Sequence, residues 1–103
     1  MTRIERIKEM LVSNPKDSFL QHALALEYIK IEEDEQARQL FENLLQDDEN
    51  YVGSYYHLAK LLERNEKVEH AKEVYERGML KAKESGDLHT YNELRTAYED
   101  LIY

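Results

Sequence analysis

An internal period of 34 residues constrains this chain more than any other feature. Ala37 is followed 34 positions later by Ala71, and Leu24 is followed at the same distance by Leu58. The other recurring pairs of like residues are Ala25 with Ala59, Lys30 with Arg64, Leu40 with Val74, and Phe41 with Tyr75. A period of this length is typical of a unit built from two antiparallel helices. The sequence therefore predicts an array of helix pairs that bury their apolar residues against one another.

The composition indicates a folded, mostly helical chain of one domain at most. The 103 residues are 42% hydrophobic and 35% charged, with three glycines and one proline. A net charge of −8 argues against nucleic acid and an anionic membrane as partners, since both bind through lysine and arginine. No apolar run approaches the ~20 residues that cross a bilayer. Without cysteine there is no disulfide or thiolate metal site, and we expect a cytoplasmic protein.

Capping signals locate the first helix. Thr2 and Glu5 form a capping box, in which each side chain accepts a hydrogen bond from the other's backbone amide, and Pro15 stops the helix. When the repeat frame is shifted back by 34 positions, Ile7 falls at the place of Phe41. The first helix is therefore predicted to be the second half of a repeat.

The predicted architecture is all-α, an antiparallel helix-pair solenoid of about six helices in a single domain, 1–103. Its parts are an N-terminal half repeat over 1–15, full repeats over 18–51 and 52–85, and a C-terminal capping helix over 86–103. Gly86 and Asp87 supply the glycine stop and the N-cap that separate the last helix from the one before it. At an offset of 36, Tyr91 falls at the place of Tyr55, so the last helix is the first half of a third repeat.

Small residues recur where paired helices must approach each other closely. Ala25 and Ala59 are equivalent positions on the first helices of the two repeats, and Ala37 and Ala71 are equivalent positions on the second helices. A larger side chain at these positions would push the helix axes apart. Arg95 falls at the place of Ala59 in the last helix, which predicts that no second helix packs against it there.

A residue pattern repeats in the two copies. It consists of Gln21, Leu24, Ala25, Tyr28, Ala37 and Phe41 in the first copy and of Tyr55, Leu58, Ala59, Leu62, Ala71 and Tyr75 in the second. Over residues 3–101 the chain resembles a tetratricopeptide repeat protein. The glycine that the family often has between paired helices is Glu32 and Glu66 here, so we expect those turns to differ. The resemblance implies a non-enzymatic binding scaffold whose first helices line a concave groove for a peptide or a partner protein.

The groove should be lined by the face of each first helix that points away from its partner helix. The candidate ligand-binding residues are Phe19, His22, Leu26 and Lys30 in the first repeat and Tyr56, His57, Lys60 and Arg64 in the second. Lys60 lies one helical turn from both Tyr56 and Arg64. A basic, partly aromatic face on an acidic chain predicts a ligand with acidic groups. The alternative is a solvated face whose lysine stems cover apolar surface.

No residue pattern indicates catalysis or a bound metal. The histidines, His22, His57, His70 and His89, do not have the spacing of metal ligands. The serines fall near helix starts and turns, where capping explains them, and no glycine-rich phosphate loop is present. We therefore expect no enzyme activity, no cofactor and no metal.

Two functions fit the sequence. The first is a non-enzymatic protein–protein interaction module that holds a peptide or partner protein in its groove. The alternative is a structural or self-association module, a homo-oligomer in which the first or last helix pairs with a second copy. The two differ in whether the mass in solution depends on concentration.

Overall fold

The computed structural model describes all 103 residues and contains six α-helices. They are α1 (Arg3–Ser13), α2 (Ser18–Lys30), α3 (Asp34–Asp47), α4 (Gly53–Arg64), α5 (Val68–Glu84) and α6 (Leu88–Ile102). The all-α class and the number of helices are confirmed. The pairs α2–α3 and α4–α5 correspond to the two 34-residue repeats. No helix combines the length and the apolar character that a bilayer span requires.

Side-chain caps fix where the helices begin. The Thr2 hydroxyl accepts a hydrogen bond from the Glu5 backbone N–H (3.1 Å), and the Glu5 carboxylate accepts one from the Thr2 N–H (3.0 Å). This is the predicted capping box of α1. The carboxylate of Asp87 accepts a hydrogen bond from the backbone N–H of Thr90 (3.0 Å), which confirms the predicted N-cap of α6.

The chain divides into two compact units, Met1–Asp48 and Glu49–Tyr103. In the first unit, α2 packs against both α1 and α3. The buried apolar residues of this unit are Ile7, Leu24, Ala25, Ala37, Phe41, Leu44 and Leu45. The single domain and the repeat boundaries given above stay predictions.

In the second unit, α5 packs against both α4 and α6, and α4 also contacts α6. Its largest fully buried side chains are Tyr55, Tyr75, Leu62 and Leu94. Each helix therefore contributes at least one large side chain to the interior of this unit. The three helices enclose a core in which no buried side-chain polar atom lacks a hydrogen-bond partner.

The small residues lie where the sequence predicts close packing. The four alanines of the repeat pattern are fully buried: Ala25, Ala37, Ala59 and Ala71. By contrast, the equivalent position in α6 is Arg95, which is exposed and lies 4.0 Å from the carboxylate of Glu99. That no second helix packs against Arg95 stays a prediction.

A second close approach, at Gly78 in α5, does not follow the repeat. A Cβ atom added to Gly78 would lie 2.6 Å from Tyr55 Cβ and 3.1 Å from Leu94 Cδ1. Glycine therefore lets α4, α5 and α6 meet at one point. The equivalent position in the first repeat is Leu44, so the periodicity gave no sign of this contact.

We expect Gly78→Ala to lower the free energy of unfolding by ~1–3 kcal/mol, because the methyl group would overlap the Cβ atom of Tyr55 and the backbone would have to shift. The overlap outweighs the ~1 kcal/mol by which alanine favours a helix over glycine. Urea denaturation measures the change. Gly53→Ala is the matched control, since nothing lies within 4 Å of its added Cβ. Equal stability of the two variants would refute the close approach.

Three helices end in the same left-handed turn. The residue with positive φ is Glu32 after α2 (59°), Glu66 after α4 (62°) and Gly86 after α5 (76°). After α4, the N–H of Glu66 donates to the carbonyl of Glu63 (3.0 Å) and the N–H of Lys67 donates to that of Leu62 (2.9 Å). This pair of bonds is a Schellman motif. The expectation that Glu32 and Glu66 change these turns is wrong, because both glutamates adopt the conformation that favours glycine.

We expect Glu66→Gly to raise the free energy of unfolding by ~0.5–1 kcal/mol. A left-handed L-residue costs ~1–2 kcal/mol, and the greater freedom of glycine in the unfolded chain offsets part of the gain. Chemical denaturation is the measurement. Gly86→Ala is the reverse substitution at an equivalent turn and should destabilise the protein. A loss of stability in Glu66→Gly would contradict this account of the turn.

Candidate functional site

The candidate ligand-binding surface of the second unit is a shallow cleft of about 380 Å³ between α4 and α6, which we call the α4–α6 cleft. Its α4 wall contains Tyr56 and Lys60, two of the predicted groove residues. Its α6 wall contains His89, Asn92, Glu93, Thr96, Ala97 and Asp100. The first helix of the second repeat and the helix that follows the repeat thus supply one wall each.

The α4 wall presents a positive charge above an aromatic ring. The ammonium group of Lys60 lies 5.9 Å from the centroid of the Tyr56 ring and 3.8 Å from the carboxylate of Glu63. The ring of Tyr56 meets that of His57 edge to face, with centroids 5.6 Å apart. Glu63 also accepts a hydrogen bond from the hydroxyl of Tyr75. These contacts hold Lys60 against α4, and Glu63 neutralises part of its charge.

The α6 wall is acidic. Glu93 and Asp100 line the cleft on the wall that faces α4, and Asn92 and Thr96 of the same wall can both donate and accept hydrogen bonds. The predicted basic character therefore belongs to the α4 wall alone. No group of three or more His, Asp or Glu side chains in the chain is placed to hold a metal ion. The chemistry that this cleft offers is ion pairing and hydrogen bonding from two walls of opposite charge.

The sequence analysis missed the α6 wall. The signal was present, because the offset of 36 that relates α6 to α4 also relates their groove faces. It places Asn92 on Tyr56, Glu93 on His57, Thr96 on Lys60 and Asp100 on Arg64. The groove face of α6 could therefore have been predicted once its packing stripe had been aligned with that of α4. Arg64 itself is exposed in the last turn of α4 and does not line the cleft.

The pKa of His57 in α4 depends on its burial and on the charge of Glu93 in α6. Its side chain is half-buried, and this burial lowers the pKa of its imidazole below the usual 6.5. The carboxylate of Glu93 acts in the opposite direction and raises the same pKa. Burial disfavours the charged imidazolium, whereas a nearby negative charge stabilises it.

We expect an NMR titration to give His57 a pKa below 6.5. The pKa of His57 is lower in the folded state than in the unfolded state, so protonation favours unfolding. The free energy of unfolding should therefore fall as the pH drops below the unfolded pKa of about 6.5. Glu93→Gln should lower the pKa of His57 further, because it removes the stabilising charge. An unchanged pKa of His57 in Glu93→Gln would contradict the α4–α6 arrangement.

In the first unit, the predicted α2 residues lie in different surroundings. Phe19 is exposed and lines a separate cleft against α1. The half-buried ring of His22 meets that of Phe41 in α3 edge to face, with centroids 5.6 Å apart. Leu26 is half-buried. These residues therefore do not line one cleft within the first unit, and their role in binding stays a prediction.

Lys30 is engaged in an ion pair. Its ammonium group lies 2.9 Å from the carboxylate of Glu27, which also lies 3.3 Å from Arg3 Nε. The hydrogen bond from Lys30, helped by the charge of Arg3, holds the pKa of Glu27 below its usual range. A ligand that binds Lys30 must compete with this carboxylate.

Comparison with known proteins identifies relatives by structure. No protein-family model matches the sequence, and no curated protein matches it. The solution structure of a tetratricopeptide repeat domain protein from Salinibacter ruber is 39% identical in sequence, with a TM-score of 0.81. The match covers 84% of this chain and 88% of that one.

Two more distant structures share the fold and hold ligands. The TPR2B domain of yeast Sti1, in a complex with pHsp70, is 18% identical, with a TM-score of 0.88 over 95% of this chain and 78% of that one. The first tetratricopeptide repeat domain of Spaghetti (RPAP3), bound to the HSP90 peptide SRMEEVD, is 21% identical, with a TM-score of 0.75 over 97% and 78%. At these identities the likeness concerns the fold alone.

Proposed function

This chain belongs to the tetratricopeptide repeat family, and from that premise we propose that it is a non-catalytic scaffold that binds an extended segment of another protein in the α4–α6 cleft. The observation that carries the proposal is that the two walls of the cleft have opposite charge. Lys60 stands over Tyr56 on one wall, and Glu93 and Asp100 stand on the other. Such a cleft offers a chain segment ion pairs and hydrogen bonds on both sides.

The ligands of the distant relatives support a protein segment as the ligand. The peptide SRMEEVD, bound to the Spaghetti (RPAP3) domain, carries three acidic residues and one arginine. The Sti1 domain is in a complex with pHsp70. Both ligands come from other proteins, and the same helical fold holds them.

The charges of the cleft define the ligand further. Lys60 in the α4 wall and Arg64 one turn beyond it suit an acidic group, which they would hold by charge-assisted hydrogen bonds. Glu93 and Asp100 would repel a second acidic group and attract a basic or amide group. We therefore propose a ligand that is acidic along α4 and basic or amide-bearing along α6.

The contribution of Lys60 depends on how much water the ligand excludes. Its side chain is 46% exposed without a ligand and pairs with Glu63, so a contact that stays wet would contribute at most ~1 kcal/mol. A ligand that covers Tyr56 and Lys60 together would desolvate the ion pair. Loss of one partner of a desolvated pair costs ~2–5 kcal/mol.

We expect Lys60→Ala combined with Arg64→Ala to weaken binding by ~2–5 kcal/mol, because the acidic group of the ligand would lose both cations. The partner is first captured from native cells with the unchanged chain and identified, and its binding is then measured by titration calorimetry. Circular dichroism should show unchanged helix content.

Lys67→Ala combined with Lys83→Ala is the matched control. Both residues are exposed outside the α4–α6 cleft, and the double substitution removes the same charge. It should leave the affinity within a factor of two. Equal affinities of the two double variants, with the fold intact, would move the binding site away from the α4 wall.

A further inference from the structure

A cleft between α2 and α3 is not used by the proposed function. It has a volume of about 220 Å³, and we call it the α2–α3 cleft. It is lined by Leu24, Tyr28, Gln36, Gln39, Leu40 and Asn43. None of these residue types is ionised at neutral pH, although 35% of the chain is charged. The α2–α3 cleft therefore differs in chemistry from the α4–α6 cleft, which has charged groups on both walls.

The floor of the α2–α3 cleft is apolar and its rim is polar. Leu24 is buried and Leu40 is half-buried. Gln36, Gln39 and Asn43 are exposed, and their spacing of three and then four positions puts them on one stripe of α3. The cleft thus places a row of side-chain carboxamides along an apolar surface.

These carboxamides are available to a ligand. The side chains of Gln36 and Asn43 form no hydrogen bond within the chain, and the bond from Gln39 to the carboxylate of Glu35 is long, at 3.5 Å. Each carboxamide has a carbonyl oxygen that accepts hydrogen bonds and an NH₂ group that donates them. A peptide unit carries the matching N–H and C=O groups. The row can therefore bind the main chain of another protein.

The two repeats share the apolar floor and differ at the carboxamides. Leu58 and Val74 stand at the places of Leu24 and Leu40, so the floor stays apolar in the second repeat. The three carboxamides are replaced there by residues that can carry a charge: His70, Glu73 and Arg77. The packing of a helix pair thus does not require a neutral rim, which is a property of the first repeat alone.

An extended segment suits this row better than a helix does. The main-chain groups of a helix bond one another, and only its ends offer free N–H and C=O groups. An extended segment leaves these groups free and points successive side chains to opposite sides. From Gln36 to Asn43 the row spans about 10 Å at 1.5 Å per residue, which about three extended residues cover at ~3.3 Å each.

One cation borders the cleft. The ammonium group of Lys8 in α1 lies 5.7 Å from the centroid of the Tyr28 ring and forms no ion pair with a carboxylate. The carboxylate of Glu5, one turn away, accepts a hydrogen bond from the N–H of Thr2. Because a short turn at 31–33 joins α2 to α3, Tyr28 and Gln36 lie at the same end of the cleft. An acidic group at that end could pair with Lys8.

We propose that the α2–α3 cleft binds an extended, uncharged segment of another protein that has an acidic residue at one end. The main chain of the segment bonds to Gln36, Gln39 and Asn43, and one apolar side chain covers Leu40. The acidic residue pairs with Lys8. Covering neutral carboxamides costs less than covering charged groups, provided that hydrogen bonds replace those to water. Main-chain bonding makes the site tolerant of the sequence of the segment, and Lys8 sets its direction.

The probe is the peptide acetyl-Glu-Val-Leu-Val-Thr-amide, whose β-branched residues favour an extended chain. Two-dimensional NMR of the isotope-labelled 103-residue chain measures its binding. Shift changes should centre on residues 36–43 and on the NH₂ signals of Gln36, Gln39 and Asn43. The matched peptide carries methyl groups on the backbone nitrogens of Leu and the second Val, which removes two donors and keeps every side chain. It should bind about fivefold more weakly.

Variants of the chain test the carboxamides directly. Gln36→Met, Gln39→Met and Asn43→Leu together keep the size of the side chains and remove their hydrogen-bonding groups. This triple variant should bind the probe about tenfold more weakly, with the helix content by circular dichroism unchanged. Gln46→Met is the matched control, because Gln46 is exposed on the same helix outside the cleft. It should leave the affinity unchanged.

A double-mutant cycle tests the direction of the segment. Lys8→Gln should weaken binding of the probe by about threefold, as expected for an exposed ion pair. It should not weaken binding of the same peptide with Gln in place of Glu. Equal effects of Lys8→Gln on the two peptides would refute the pairing with Lys8.

Other outcomes would overturn the proposal. Equal binding of the methylated peptide, or full binding by the triple variant, would reduce the cleft to an apolar contact. A lactam-locked helical peptide that binds as tightly as the probe would refute an extended ligand. Shift changes confined to Tyr56 and Lys60 would assign the probe to the α4–α6 cleft, and no shift changes at millimolar peptide would leave the cleft without this ligand. Concentration-dependent association of the unchanged chain, abolished in the triple variant, would make a second copy the occupant.

Discussion

The close approach of paired helices at residues without large side chains is the constraint on which the rest of this structure depends. Ala25, Ala37, Ala59 and Ala71 are fully buried, so no side chain beyond a methyl group separates the helices at these positions. Gly78 extends the same principle to a third helix, since Tyr55 and Leu94 occupy the space that its side chain would need. The width of the α4–α6 cleft follows from these contacts, because α4 and α6 are both held by α5.

The two units show how one repeat supports two different surfaces. In the second unit, three helices enclose the core, and the α4–α6 cleft has walls of opposite charge. In the first unit, the helix equivalent to α5 carries Arg3 where α5 carries Ala71, and its cleft is lined by cations and apolar side chains. A repeat keeps the residues that pack against neighbouring helices, and it varies those that meet solvent or a ligand. Function is therefore carried by the positions at which the copies differ.

Local pairing decides how the acidic chain presents its cations. Lys30 pairs with Glu27 and Lys60 with Glu63, so neither presents its full charge to a distant ligand. Pairs of this kind are individually weak at an exposed surface and are screened by salt. A partner would be recognised at short range, by groups that replace or extend these pairs. The net charge of −8 predicts the classes of partner that are disfavoured, and the positions of individual charges determine the binding surfaces.

The sequence by itself determined the all-α class, the six helices and the small positions at which paired helices meet. Those features repeat with a fixed period or depend on residues close in the chain, such as the Thr2–Glu5 box and the Gly86 stop. Only the structure decided the contact of Gly78 with Tyr55, the left-handed backbone at Glu66, and the placement of Lys60 and Glu93 on the two walls of one cleft. The physical reason is that the Gly78 contact and the cleft depend on residues brought together by packing, whereas the turn at Glu66 is local but uses a residue type that rarely adopts a positive φ. A pattern read along one helix describes its own faces, whereas the charge and the width of a cleft belong to two helices at once.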